Sequence, residues 1–219
     1  QNLDFTNRDI IYTLAFTTDD VFNGNFSGPG PDNVFGTADD TAAPTADALA
    51  DGFDKLAVYG RVGNAWRWLI DTDNDGVPND LDANAVVEQI DPLNINGLPV
   101  AGNFDGNAVN GDEVGVFTGT TWYFDTNHDF RLDGASALPT PMRGYPIVGD
   151  FDGDGADDLA TWTDDVFRID FANAGVGDTL DGQIDVQFRV GYIGPNEHPV
   201  SADSSKARDI LSDDPSRLC

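Results

Sequence analysis

The sequence predicts an all-β protein of antiparallel, four-stranded units, the arrangement typical of β-propeller blades. Two observations indicate this class. Residues 98–105 (LPVAGNFD) align with residues 145–152 (YPIVGDFD), roughly 47 positions later, so the chain contains an internal repeat. Short segments of alternating or aromatic residues follow each copy, whereas helical periodicity is scarce. The length fits about three full blades and a split fourth.

Each predicted unit has a first strand, an acidic loop, an alternating second strand and an aromatic third strand that ends in Asp. A third copy lies upstream of the two aligned ones. Fourth strands are predicted in the first and third units. The predicted strands are, in chain order, residues 21–26, 55–59, 68–71, 85–90, 113–117, 122–125, 158–162, 167–170 and 184–190. The first strands of repeats 2 and 3 are predicted at the hydrophobic starts of the aligned segments 98–105 and 145–152.

The units divide a single domain into five parts. These are an N-terminal orphan strand at 1–20, repeat 1 at 21–98 with a loop insertion at 27–51, repeat 2 at 99–145, repeat 3 at 146–198, and a partial fourth repeat at 199–219. The incomplete ends need a partner, because exposed strand edges are templates for pairing. Either they pair within one chain and close a four-bladed ring, or each subunit completes its neighbour in a head-to-tail filament.

Residues 149–160 (GDFDGDGADDLA) carry a resemblance to a known family. This stretch resembles the FG-GAP and VCBS-type repeats of integrin alpha-chain propellers and of many bacterial extracellular proteins. The likeness extends over about residues 21–203; the copy at residue 98 departs from it through an insertion, and the copy at residue 21 is interrupted. The resemblance implies a β-propeller with calcium-binding loops.

The clearest metal signal is the segment 71–82 (DTDNDGVPNDLD), which matches a twelve-residue calcium loop. Glycine occupies position 6, where the turn would strain a side chain. The segment also resembles a thrombospondin type 3 calcium repeat. The predicted ligands are Asp71, Asp73, Asp75, the carbonyl of Val77, Asn79 and Asp82.

Shorter acidic loops predict further Ca²⁺ sites. In repeat 3 the ligands are Asp150, Asp152, Asp154, the carbonyl of Ala156, and Asp158. In repeat 2 the same spacing recurs at Asp125, Asn127, Asp129 and Asp133. Phe130 replaces the glycine there, so this loop is expected to be strained or different. Clustered carboxylates repel one another without a cation, and a flexible all-protein oxygen cage suits Ca²⁺ better than Mg²⁺.

Two other loops fit calcium less well. A degenerate version in repeat 2 contains amides in place of carboxylates, which weakens the attraction for an ion; its residues are Asp105, Asn107, Asn110, Asp112 and Glu113. In repeat 1 Lys55 occupies the position of Asp158, and a cation at a ligand position argues against a metal there.

Charge and composition exclude some classes of binding partner and indicate a cellular location. The chain has 39 acidic and 11 basic residues and a net charge of -28, which argues against binding nucleic acid or an anionic membrane. No apolar run approaches the ~18 residues of a membrane span. The single cysteine, Cys219, excludes an intrachain disulfide. The start at Gln1 fits a secreted chain whose signal peptide has been removed, and hence an extracellular or cell-surface location.

These features favour a non-enzymatic extracellular structural protein, a self-assembling fibre subunit stabilised by Ca²⁺. Neither His128 nor His198 lies beside a nucleophile motif, and a calcium-dependent hydrolase or lyase is the weakest alternative. The stronger alternative is a calcium-dependent adhesin or lectin-like module that binds glycans or a partner protein. Its sugar-stacking platform would come from the four tryptophans, Trp66, Trp68, Trp122 and Trp162, but these recur at equivalent strand positions and therefore predict blade cores.

Overall fold

The computed structural model describes residues 18–26, 54–71, 86–107, 111–172 and 179–190. These residues form three four-stranded antiparallel sheets, in each of which the strands pair in chain order. The predicted all-β class is confirmed. Between them the described residues contain a single short 3₁₀ turn, at Gly134–Ser136, and no helix long and apolar enough to cross a membrane.

The three sheets correspond to the three repeats. Sheet 1 contains β1 (Asp20–Gly24), β2 (Lys55–Val62), β3 (Ala65–Asp71) and β4 (Val86–Ile90). Sheet 2 contains β5 (Leu98–Gly102), β6 (Glu113–Phe117), β7 (Thr121–Phe124) and β8 (Leu138–Pro139). Sheet 3 contains β9 (Tyr145–Gly149), β10 (Asp158–Thr163), β11 (Val166–Asp170) and β12 (Val186–Arg189).

The predicted strands that fall on described residues are all present, and one strand was missed. β5 and β9 end at Gly102 and Gly149, so the rest of each aligned segment, 103–105 and 150–152, belongs to the loop. The missed strand is β8, which pairs with β7 through two residue pairs only. A two-residue strand that contains Pro139 carries no alternation and little strand propensity.

Consecutive sheets stack through alternate faces of their central strands. Tyr59 and Trp68 of sheet 1 pack with Val114 and Val116 of sheet 2 in one buried cluster. On the opposite face of sheet 2, Trp122 belongs to a second cluster, together with residues of sheet 3. Because successive side chains of a strand point to opposite faces, sheet 2 is covered on both sides and all five residues of β6 are buried.

Two of the four tryptophans occupy this core. Trp68 and Trp122 are fully buried at equivalent positions of β3 and β7, and each ring lies against an aromatic ring of the neighbouring strand, Tyr59 or Phe117. The prediction of core packing is confirmed for these two. The predicted equivalence of all four tryptophans is wrong, because Trp162 lies on the second strand of its sheet, in register with Phe167.

The first strands of the sheets are close neighbours: β5 contacts β1 on one side and β9 on the other. Glycines make this approach feasible. A Cβ atom on Gly24 would lie 2.8 Å from the Cβ of Ala101, and one on Gly102 would lie 2.5 Å from a methyl carbon of Val148. The glycines that end β1 and β5 are therefore required by packing between sheets.

A repeated pair of hydrogen bonds joins the first loops of sheets 1 and 2 to the next sheet. The amide of Asn25 donates to the Asp112 carboxylate at 2.7 Å, and the amide of Asp112 donates back to the Asn25 carbonyl at 3.1 Å. Asn103 and Asp157 make the same pair at 2.8 and 2.9 Å. The acid that precedes the second strand of sheet 2 or sheet 3 thus fixes the first loop of the preceding sheet.

The described residues do not show a closed ring, so the propeller stays a prediction, as does closure in cis or in trans. The N-terminal orphan strand, except for residues 18–20, and the partial fourth repeat lie outside the described residues. So do the insertion at 27–51 and residues 72–85.

Candidate metal sites

Each sheet places a buried charged residue at the start of its second strand. Lys55, Glu113 and Asp158 occupy this position, and they pair in register with Gly24, Gly102 and Gly149 at the ends of the first strands. All three are at most 2% exposed. A buried charge needs a counter-charge or strong hydrogen bonds, so the loop that joins the first two strands must supply them.

In sheet 3 the first loop gathers three carboxylates. One oxygen from each of Asp150, Asp152 and Asp158 lies within 4.8 Å of the others. The two oxygens of Asp158 accept from the amides of Phe151 and Ala172, each at 2.7 Å. Burial raises the pKa of Asp158 to about 6, and the charges of the other two carboxylates contribute. The set consists of hard oxygen donors, which suits Ca²⁺.

The backbone of this loop turns inward around the carboxylates. Asp150 accepts from the amide of Gly153 and, at 3.0 Å, from that of Asp154. Gly153 and Gly155 have φ of 82° and 102°, a left-handed region that favours glycine. Of the predicted ligands, Asp154 is not part of the three-carboxylate group; its side chain accepts from the amide of Ala156 at 2.9 Å.

Sheet 2 holds a different group at the corresponding place, formed by Asp105, Glu113 and His128. Asp105 follows β5 and Glu113 begins β6, whereas His128 comes from the loop after β7. Oε1 of Glu113 lies 2.5 Å from Nε2 of His128, and Oδ2 of Asp105 lies 3.8 Å from the same nitrogen. Oε2 of Glu113 accepts from the amide of Phe104 at 2.7 Å, as Asp158 does from Phe151.

The ionisation of this group follows from burial and proximity. Burial raises the pKa of Glu113, and the adjacent His128 partly offsets the effect. For His128 burial acts to lower the pKa, but contact with Glu113 and the charges of neighbouring acids outweigh it, so the pKa is raised. Sequence spacing did not predict that His128 joins this group, because His128 lies in the loop after β7 whereas Asp105 and Glu113 belong to the connection between β5 and β6.

The loop after β7 contains the third predicted calcium set. The backbone of Phe130 has φ 56°, the left-handed conformation that a glycine would adopt there, and its side chain is buried in the core between sheets 1 and 2. Asp125 is buried and accepts from the amides of Asn127 and Phe130 at 3.0 and 2.8 Å. Burial raises the pKa of Asp125 to about 7.

The rest of that set is held by hydrogen bonds. In the orientation that satisfies its neighbours, the amide nitrogen of Asn127 donates to Asp125 at 2.9 Å and to Asp129 at 3.2 Å. Asp133 instead accepts from the hydroxyl of Thr126 at 2.5 Å. Within the described part of the chain the acids of this loop do not form a close group like that of sheet 3. Calcium binding there stays a prediction.

Sheet 1 carries its own cation. Nζ of Lys55 lies 3.5 Å from Oδ1 of Asn25, a residue of the loop that follows β1. Of the twelve-residue loop, the structure describes only the backbone of Asp71, at the end of β3. Its other predicted ligands lie outside the described residues; they are Asp73, Asp75, Val77, Asn79 and Asp82.

Comparisons with protein-family models, curated proteins and solved structures give no match to this chain.

Proposed function

We propose that this chain is a non-enzymatic, extracellular structural protein, built of FG-GAP or VCBS-type propeller repeats, that Ca²⁺ stabilises and that self-assembles. The observation that carries the proposal is the all-carboxylate group of Asp150, Asp152 and Asp158. Three carboxylates this close repel one another in a chain of net charge -28. A bound Ca²⁺ would remove that repulsion and convert the loop into a rigid connection.

The three-carboxylate group lies where a bound ion would affect the stability of two sheets. Asp158 contacts the loop after β9 through Phe151 and the segment after β11 through Ala172. The preceding residue, Asp157, makes the paired hydrogen bonds that fix Asn103 of sheet 2. Ca²⁺ in this loop would therefore stabilise sheet 3 and its junction with sheet 2.

Self-assembly is supported by apolar side chains at both ends of the stack. In sheet 1 Val21 and Ile90 are 70% and 50% exposed, and in sheet 3 Phe188 is 47% exposed. Burying such side chains is favourable by about 1.5–3 kcal/mol each. We propose that a neighbouring subunit covers them in a head-to-tail filament; closure of a ring by the chain's own ends is the competing arrangement.

The adhesin alternative has less support. A sugar platform needs exposed aromatic faces; Trp68 and Trp122 are fully buried, and Trp66 and Trp162 are only partly exposed. Binding of a glycan or a partner protein by the loops stays a hypothesis without a specific site.

Sedimentation velocity of the untagged chain, with Ca²⁺ and after chelation, tests the proposal. Large species that form in Ca²⁺ and disperse in chelator are expected. A compact monomer of 23.4 kDa under both conditions would contradict self-assembly. A Val21→Ser, Phe188→Ser double variant should reduce assembly, whereas Asp164→Asn, at an exposed turn, should not.

A further inference from the structure

The group of Asp105, Glu113 and His128 differs in chemistry from the other acidic loops. It combines one imidazole nitrogen with two carboxylates, and the three atoms lie within 4.8 Å of one another. Imidazole is a common ligand for zinc and related transition metals but not for Ca²⁺, which takes oxygen. The donor set therefore selects a different class of ion from the group in sheet 3.

A second observation comes from the buried oxygen of Glu113. The side chain is only 3% exposed, and its Oε2 is occupied by the amide of Phe104. Oε1 is fully buried and lies 2.5 Å from Nε2 of His128. The carboxylate and the imidazole are close enough to share a cation, which is a proton when no metal is bound and a metal ion when the site is occupied.

Access to the group is open on one side. The Asp105 side chain is 46% exposed, whereas those of His128 and Glu113 are 12% and 3% exposed. An ion can therefore enter past Asp105 and reach the two buried donors. The backbone supports this arrangement, because the amide of Asn107 donates to the other oxygen of Asp105 at 2.7 Å and leaves Oδ2 directed toward the imidazole.

We propose that Asp105, Glu113 and His128 form a binding site for Zn²⁺ or a similar divalent transition metal ion. Nε2 of His128 and one oxygen of each carboxylate are the ligands, and water completes the coordination on the exposed side. The ion joins the loop after β5 to the loop after β7 within sheet 2. The proposal does not depend on calcium binding or on self-assembly.

The test is a calorimetric titration of the full chain with Zn²⁺ in buffer that already contains saturating Ca²⁺. The chain has only two histidines, so His198→Asn is a matched control for His128→Asn. Asparagine also tolerates the left-handed backbone of residue 128, where φ is 57°. We expect one site in the wild type, at least about tenfold weaker binding in His128→Asn, and no change in His198→Asn.

Asp105→Asn and the spectrum of bound Co²⁺ complete the experiment. Because Asp105 is exposed, the Asp105→Asn variant should fold normally. Its affinity for Zn²⁺ should nevertheless be lower than that of the wild type. Co²⁺ bound in the wild type should show the visible bands of a nitrogen-ligated site, and these should be lost in His128→Asn. The proposal is overturned if the wild type binds no Zn²⁺ under saturating Ca²⁺, or if His128→Asn binds it as tightly as His198→Asn does.

Discussion

The first loops of sheets 2 and 3 have the same backbone plan and different side-chain chemistry. In both, a phenylalanine amide after the first strand donates to the acid that begins the second strand, Glu113 or Asp158. In sheet 3 the remaining carboxylates come from the same loop, whereas sheet 2 takes a histidine from the loop after β7. The same loop backbone therefore presents only carboxylate oxygens in sheet 3, and carboxylate oxygens with an imidazole nitrogen in sheet 2.

Sheet 1 extends the comparison, because its buried residue at the same position is Lys55. The side chain itself supplies the positive charge, 3.5 Å from the loop residue Asn25. The buried residue at this position is therefore a cation in sheet 1 and an acid in sheets 2 and 3. We propose bound ions only for the two acidic positions, and of a different class in each sheet.

Gly102→Ala should have the largest effect and tests whether the two loops lie at a tight junction. The new methyl group would be 2.5 Å from Val148 and 2.9 Å from the Asp157 carboxylate, so β5 and β9 must separate. We expect a loss of about 2–3 kcal/mol in the free energy of unfolding, measured by denaturant titration. Gly63→Ala, whose new Cβ meets nothing within 4 Å, should cost only about 1 kcal/mol, from its backbone strain. Equal losses in both variants would contradict the tight junction.

Lys55→Met tests the claim that sheet 1 carries a fixed cation. The substitution keeps an apolar stem of similar length and removes the charge beside Asn25. We expect a loss of about 2 kcal/mol that is the same in Ca²⁺ and in chelator, because no exchangeable ion is involved. Lys206→Met removes the other lysine and controls for net charge. A loss that depends on Ca²⁺ would contradict the claim that the cation of sheet 1 is fixed.

Asp170→Asn tests a buried carboxylate at the end of the third strand of sheet 3, where no ion is proposed. Asp170 is fully buried; Oδ2 accepts from the amide of Gly182 at 2.8 Å, and Oδ1 has no hydrogen-bond partner among the described residues. Burial raises its pKa to about 7, and the charges of Asp181 and Asp185 contribute.

The sign of the pH effect follows from that raised pKa. The folded state retains a proton that the unfolded state loses above about pH 4, so the stabilisation is complete below that pH and is lost as the pH rises toward 7. Relative to wild type, Asp170→Asn should therefore gain about 1–2 kcal/mol between pH 5 and pH 8 in chelator, measured by thermal unfolding. Asp164→Asn serves as the control; a pH-independent difference for Asp170→Asn would contradict the assignment.

The strands were predictable because their signals are local. Glu113–Phe117 alternates and matches its predicted bounds, and the carboxylates of Asp150, Asp152 and Asp158 come together because one short loop contains them. Local spacing has no information about contacts between loops, so the approach of His128 to Glu113 was not predicted. The two-residue strand β8 was missed for a related reason, since its pairing depends on β7 and not on its own sequence.

Phe130 shows the limit of residue-type rules in a loop. Its substitution for glycine indicated a strained or different calcium loop, and the structure shows the left-handed backbone retained, with φ 56°. Burial of the ring against Phe26, with centroids 5.7 Å apart, offsets the cost of that conformation. The sequence did not show that this side chain belongs to the core between sheets 1 and 2.

Calcium-dependent thermal unfolding of the wild type, Asp152→Asn and Asp164→Asn tests the central claim most directly. Each variant removes one negative charge, but only Asp152 belongs to the close carboxylate group. We predict that Ca²⁺ at about 100 times its dissociation constant stabilises the wild type and Asp164→Asn by about 2.7 kcal/mol or more, and Asp152→Asn by clearly less. Identical melting of the wild type in Ca²⁺ and in chelator would contradict the account.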